Sequence, residues 1–236
     1  MNPVPQAHRH AAYFAPSPGS GPWNLGSQWL GRCAQTDRLL PQPFLRGFTP
    51  ATLLRLTQAP RRYGWHATLK APFTLAEGTE LSQLQAAFAG VAVAAPFVLD
   101  VDVAQIGDFL AVVPVRRHEG LHALADDCVR QLHAIAAPLT QPELARRRQS
   151  GLSQRQEQLL QQWSYPHVME EFQFHMTLTG SLDGLSSLER SELVAHARQW
   201  FAPLRSEGLH IDAVSWFVEP TASGNFRYVE RFALAQ

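Results

Sequence analysis

Short segments in which apolar and polar residues alternate are interleaved along this chain with longer stretches of helical spacing. Ala11–Ala15 is a short apolar run closed by Pro16, and a Pro/Gly/Ser loop follows to Pro22. Trp23–Leu30 carries helical spacing that stops near Gly31. Pro41, Pro43 and Gly47 break the next stretch. Thr49-Pro50 then has the form of an N-cap and first helical residue, predicting a helix to about Gln58. Alternation returns from about Tyr63 to Leu75, a predicted strand, followed by a helix over Glu80–Ala95. Strands at Phe97–Val103 and Phe109–Val115 flank the Gly107-Asp108 turn signal. Helical patterning resumes at His118–Ala137 and, after Pro138 and Pro142, at Glu143–Trp163. The last elements are a strand near Glu171–Leu182, a helix at Ser187–Phe201, and strands at Leu209–Val218 and Phe226–Ala235.

The order strand, helix, strand, strand that starts near Tyr63 recurs from Glu171, with similar spacing between elements. Such recurrence predicts an internal duplication, with repeats at about 63–115 and 171–235. The expected fold class is α+β: two lobes related by a pseudo-twofold, antiparallel sheets lining a central cleft, and helices on the outer faces. A single bilobal domain over residues 11–236 would follow a disordered N-terminus, residues 1–10.

The two strands that open the repeats also share residues. Trp65-His66-Ala67-Thr68-Leu69 and Phe174-His175-Met176-Thr177-Leu178 both read aromatic-His-x-Thr-Leu. A His-x-Thr-Leu string is expected only roughly 0.06 times by chance in such a chain. Because side chains alternate across a strand, His66, Thr68 and Lys70 would share one face while Trp65, Ala67 and Leu69 occupy the other. In the second copy His175, Thr177, Thr179 and Ser181 would form the polar face, with Phe174, Met176 and Leu178 in the core. Two imidazoles with neighbouring hydroxyls suit paired acid/base chemistry at a phosphate; a pair of core strands with incidental polar alternation is the plainer alternative.

Composition narrows the partner classes. Lys+Arg and Asp+Glu balance at 20 each over 236 residues, which argues against a broad footprint for long nucleic acid but leaves room for a local anion pocket. Lys70 is the only lysine and falls beside the first motif, either as a phosphate contact or as a solvated strand-edge cation. The run Arg146-Arg147-Arg148 reads first as a solvated helix face, with anion binding as the lesser alternative. Two cysteines, Cys33 and Cys128, no signal-like apolar start and no apolar run of membrane length fit a cytoplasmic protein without a membrane partner. No cofactor is expected, and the oligomeric state is left open.

With both motifs in view, the chain resembles the 2H phosphoesterase superfamily, whose members carry two His-x-Ser/Thr motifs on related strands. The stretch Arg62-Tyr63-Gly64-Trp65-His66-Ala67-Thr68-Leu69-Lys70-Ala71-Pro72-Phe73 is similar to a bacterial subgroup encoded with phosphonate-utilisation genes, as are Tyr13-Phe14-Ala15-Pro16 and Gly26-Ser27-Gln28-Trp29-Leu30-Gly31. The resemblance implies metal-independent chemistry at a cyclic phosphodiester or 2′-phosphoester, with His66 and His175 as catalytic residues. Thr68 and Thr177 would bind phosphate, with Lys70, Thr179 and Tyr63 as supporting candidates. Tyr63 stands three residues from His66, so it reaches the same face only if Gly64 introduces a bulge.

The expected reaction is hydrolysis of a small cyclic phosphate, ribose-derived in keeping with that subgroup. Two alternatives compete. The same cleft would serve a nucleotide or sugar-phosphate binding protein without turnover. His118-Glu119-Gly120-Leu121-His122 also matches the H-E-x-x-H pattern of zinc hydrolases, although Gly120 weakens the turn that would hold both ligands.

Overall fold

The computed structural model describes residues 7–149 and 151–235. The elements in chain order are β1 Arg9–Phe14, α1 Gly21–Leu30, α2 Pro50–Arg61, β2 Ala67–Phe73, α3 Leu81–Val91, β3 Phe97–Leu99, β4 Val101–Ile106, β5 Phe109–Pro114 and α4 Glu119–His133. They continue with α5 Gln141–Arg148, α6 Gln154–Trp163, a 3-10 turn at Met169–Glu171, β6 Met176–Thr177, α7 Ser187–Trp200, α8 Ala202–Glu207, β7 Leu209–Ile211, β8 Ala213–Glu219 and β9 Arg227–Ala233. The fold is mixed α and β, and every strand pairing is antiparallel. Among the described residues no helix is long and apolar enough to cross a membrane.

Seven strands form one sheet in the order β4-β5-β6-β2-β1-β8-β9, while β3 and β7 make a separate two-stranded ribbon. Where antiparallel sheets lining a central cleft are expected, one continuous sheet carries both motifs. The strands bearing the two His-x-Thr motifs are neighbours, joined at Ala67 opposite Met176. The hairpin β4–β5, which follows the first motif in sequence, pairs with β6; the hairpin β8–β9, which follows the second, pairs with β1, which separates it from β2. Each motif strand thus has a neighbour on both edges, β2 between β6 and β1 and β6 between β5 and β2, which gives its backbone groups partners on either side.

One face of the sheet carries the large core. Ala12 and Phe14 of β1 point into it with Trp29, Trp65, Phe88 and Trp216, while Ala11 and Tyr13 point the opposite way and pack with Phe217 and Phe226. The period-two alternation of β1 produces both clusters. β1 opens at Arg9, and the amide of His8 already bonds the Glu219 carbonyl, so the sheet begins before the expected Ala11. The expected disorder of residues 1–6 lies outside the described residues.

Several helix boundaries follow their local chemistry. Thr49 caps α2 as expected, accepting from the Thr52 amide. The helix expected over Glu143–Trp163 divides into α5 and α6: Gly151 takes a positive φ, and Ser153 starts α6 with a capping box.

Candidate active site

Both motif strands alternate as their residues dictate. Trp65, Ala67 and Leu69 are buried while His66 and Thr68 are half-buried; Phe174, Met176 and Leu178 are buried while His175 and Thr177 are half-buried. The antiparallel register around Ala67 and Met176 sets His66 across from Thr177, and Thr68 across from His175. Each imidazole therefore has one threonine along its own strand and one across the ladder.

The core side of each motif is held firmly. The Trp65 indole stacks on Phe201, with ring centroids 5.5 Å apart. α1 lies so close that a Cβ on Gly26 would come 1.9 Å from the Trp65 ring. Phe174 packs on Phe14, and the indole of Trp29 donates to the Leu178 carbonyl at 3.0 Å. With Trp65 and Phe174 locked inward, His66 and His175 have to project from the opposite face.

The two imidazoles are oriented by the same device. His66 Nδ1 lies 2.9 Å from the Gly64 carbonyl, and His175 Nδ1 lies 2.8 Å from the Gln173 carbonyl. A carbonyl only accepts, so Nδ1 carries the hydrogen and Nε2 holds the lone pair in the neutral ring. In His66 that free Nε2 is 3.3 Å from the Thr68 hydroxyl. Gly64 supplies its carbonyl from a left-handed conformation, φ +75°, and a Cβ there would meet the Ala34 Cβ at 2.6 Å.

The environment depresses both imidazoles. Burial pushes His66 down to about 4, opposed by the Gly64 hydrogen bond and reinforced by neighbouring His175. Burial also lowers His175, against the Gln173 hydrogen bond. At neutral pH both rings are uncharged in the free protein.

Two contiguous cavities meet at His66. One, about 440 Å³, holds His66, Thr68 and Tyr63 with arginines from three parts of the chain. The other, about 290 Å³, adds Thr177, Phe109 and Gly180 on the far side of His66. Larger cavities of about 540 and 570 Å³ lie elsewhere; His66 lines both site cavities, and His175 lies outside their linings.

Three supporting candidates behave differently. Tyr63 does reach the site face, its ring centroid 6.1 Å from His66 and its hydroxyl bonded by Arg62; the turn at Gly64 brings it there. Lys70 does not. From Tyr13 opposite Thr68 to Ala12 opposite Lys70, β1 advances one residue and β2 advances two, so Leu69 is the extra residue of a bulge. Ala12 faces the large core, and Lys70 turns with it, buried beside the ring of Phe73 in a void of about 20 Å³. Thr179 lines the cavity of His66 and Thr177, with its hydroxyl oxygen accepting from the Leu110 amide at 2.9 Å.

The sequence reading missed Tyr13, which stacks on His66, and it gave Arg146 and Arg147 chiefly to solvent although both line the cleft; only Arg148 turns away, to Glu157. The signal for the arginines was present in the run itself, but the facing surface was not. The H-E-x-x-H string is used for other ends. His118 is the N-cap of α4, its Nδ1 accepting from the Leu121 amide, and Glu119 pairs with Arg117. Among the described residues no group of three or more His, Cys, Asp or Glu is arranged to hold a metal ion.

Comparison with known proteins adds relatives rather than a reaction. Two curated proteins, both named ribose 1,5-bisphosphate phosphokinase PhnN, are similar to this chain. The one from Janthinobacterium sp. (strain Marseille) is 46% identical over 177 residues, 74% of this chain and 39% of the relative. The one from Laribacter hongkongensis (strain HLHK9) is 36% identical over 220 residues, 93% of this chain and 50% of the relative. The chain thus spans half or less of their length. A solved structure described as a phosphoesterase aligns over 99% of this chain and all of its own at 15% identity and a TM-score of 0.40, too loose a superposition to carry an argument. A family described as a protein of unknown function, DUF1045, matches residues 68–227, most of the chain including both threonines and the second histidine, and the chain belongs to that family.

Proposed function

We propose that this protein is a metal-independent phosphodiesterase that hydrolyses a small cyclic phosphate by two-histidine acid/base catalysis. The observation that carries this reading is the matched pair of imidazoles, each with Nδ1 tied to the carbonyl two residues upstream so that Nε2 keeps its lone pair in the neutral ring. One Nε2 takes a proton from water as it attacks phosphorus; the other gives a proton to the departing alkoxide. In-line displacement needs the two groups on opposite sides of the phosphorus, so in this reading the phosphate sits between His66 and His175 on the two neighbouring strands. Thr68 and Thr177, each across the ladder from the other motif's histidine, donate to the non-bridging oxygens as charge builds there.

An acid/base pair requires one protonated imidazole, whereas both are neutral in the free protein. The phosphate supplies the difference, because an anion beside an imidazole raises its affinity for a proton. The substrate therefore prepares its own general acid.

The resemblance to the 2H superfamily and its phosphonate-linked subgroup supports a ribose-derived cyclic phosphate, and the relatives' name attaches their longer chains to ribose phosphate chemistry. Phosphokinase activity is not part of this reading. The only lysine, Lys70, follows Leu69, so the chain has no Gly-Lys-Ser/Thr phosphate loop.

The test is phosphorus NMR of ribose 1,2-cyclic phosphate, 2′,3′-cyclic nucleotides and ADP-ribose cyclic phosphate with wild type, His66→Ala and His175→Ala. Turnover of at least one compound is expected, falling by roughly 10²–10⁴ in each variant. Wild-type rates in a folded His66→Ala protein would overturn the assignment.

A further inference from the structure

The cavity beside His66 and Thr68 holds more positive charge than one phosphodiester needs. Arg9 and Arg62 enter it from one side, and the last turn of α5 brings Arg146 and Arg147 from the other. The two pairs are not alike. Arg9 and Arg62 both bond the buried carboxylate of Glu219, which fixes their position and offsets part of their charge. Arg146 and Arg147 have no carboxylate partner among the described residues, and Arg147 Nε is buried without an acceptor. Glu143, on the same helix, gives its carboxylate to the amide and hydroxyl of Thr140.

Basic residues at a helix C-terminus complement the dipole, which accounts for Arg148 out at Glu157. It does not account for a guanidinium turned inward. Arg147 lies over the ring of Tyr165 at 5.0 Å, and that ring lines the same cavity. Behind Arg147 lies Lys70, which shares a small void with it. Glu143 also lines that void but bonds Thr140, so one carboxylate there faces two cations, and Arg147 has room for a further anion on its cavity side.

We propose that Arg146 and Arg147, supported by Tyr165, form a second phosphate subsite, and that the substrate is a cyclic phosphodiester of a small sugar carrying a separate terminal phosphomonoester. This rests on the phosphodiesterase reading and deepens it. A guanidinium pair suits a phosphomonoester dianion, which offers three oxygens for bidentate bonds. Hydrolysis adds water across one ring P–O bond: the water oxygen bonds phosphorus, the ring oxygen leaves, and the proton passes to it through the imidazoles. The product is a sugar bisphosphate, the class of compound in the name of the two longer relatives. Anchoring the terminal group away from the reacting phosphorus holds the ring against the imidazoles.

The experiment compares ribose 1,2-cyclic phosphate with and without a 5-phosphate, using wild type, Arg147→Gln, Arg147→Lys and the Arg146→Gln/Arg147→Gln double variant, each checked by circular dichroism. In wild type, kcat/KM is expected to favour the 5-phosphorylated compound by roughly 10- to 100-fold. The preference should shrink in Arg147→Gln, persist in part in Arg147→Lys and fall to near unity in the double variant. Equal wild-type rates on the two compounds, or a full preference in the double variant, would overturn the subsite. If neither compound is turned over, nor any of the other cyclic phosphates, the phosphodiesterase reading fails. Calorimetric titration of the same pair into wild type and the double variant then decides the subsite alone: a preference lost in the double variant supports it, and equal wild-type affinity rejects it.

Discussion

The ring of Tyr13 lies on the imidazole of His66, centroids 3.8 Å apart and planes 28° from parallel. Tyr13 is fully buried and stands opposite Thr68 across the β1–β2 ladder. It clamps His66 between an aromatic face and the hydrogen bond from Nδ1 to Gly64. A flat ring should serve here and a branched side chain should not. Tyr13→Phe is expected to keep kcat within about 3-fold, and Tyr13→Leu to lower it by roughly 10-fold or more, since a displacement of about 1 Å at a reacting group can cost up to 10²-fold. Steady-state kinetics on the best cyclic phosphate checks this; equal rates in both variants would remove Tyr13 from the positioning of His66.

Gly64 joins orientation to folding. Its positive φ lets the chain turn out of α2, and its carbonyl fixes the His66 tautomer. Gly64→Ala meets both a strained backbone and the Ala34 Cβ at 2.6 Å. A loss of about 1–3 kcal/mol of stability is expected from the strain alone, with activity falling further than the folded fraction. Urea denaturation alongside kinetics separates the two effects.

Much of this was legible from residue order, for identifiable reasons. The alternation of Trp65 to Leu69 and of Phe174 to Leu178 told which way His66, Thr68, His175 and Thr177 would point, because local strand geometry decides it. It failed at Lys70, where one extra residue in β2 reverses the face. A bulge is set by the partner strand, which a local pattern does not contain. The single sheet was hidden for a related reason: the pairing of β5 with β6, and of β8 with β1, is a long-range choice. Arg147 looked like one of three equivalent surface arginines, and only the packing of α5 over the cleft distinguishes it from Arg148.

His10 predicts an acid limit to stability. It is buried, with Nδ1 accepting from the Trp216 indole at 3.1 Å, and burial pushes it down to about 4. The ordinary value is 6.5, so between the two the unfolded chain binds the extra proton. This contribution is complete above pH 6.5 and is lost as pH falls through about 4, at about 1.4 kcal/mol per pH unit. His10→Asn keeps an acceptor for the indole without a titrating group, and its denaturation midpoint should vary less between pH 7 and 4.5 than that of wild type. Equal slopes would show that His10 does not couple folding to protons.

The same sign argument applied to His66 and His175 separates two pH profiles. Both imidazoles are depressed in the free protein, His66 to about 4. kcat/KM follows the free enzyme, where one ring must be protonated and the other neutral. That state becomes scarce as pH rises above the depressed values, so kcat/KM should peak below pH 6.5 and decline through neutrality. kcat follows the bound complex, in which the phosphate anion raises the imidazole that acts as acid. The optimum of kcat should therefore lie at higher pH than that of kcat/KM. Initial-rate profiles from pH 4.5 to 9 measure both, and coincident optima near pH 8 would mean that substrate charge does not set the protonation state of the pair.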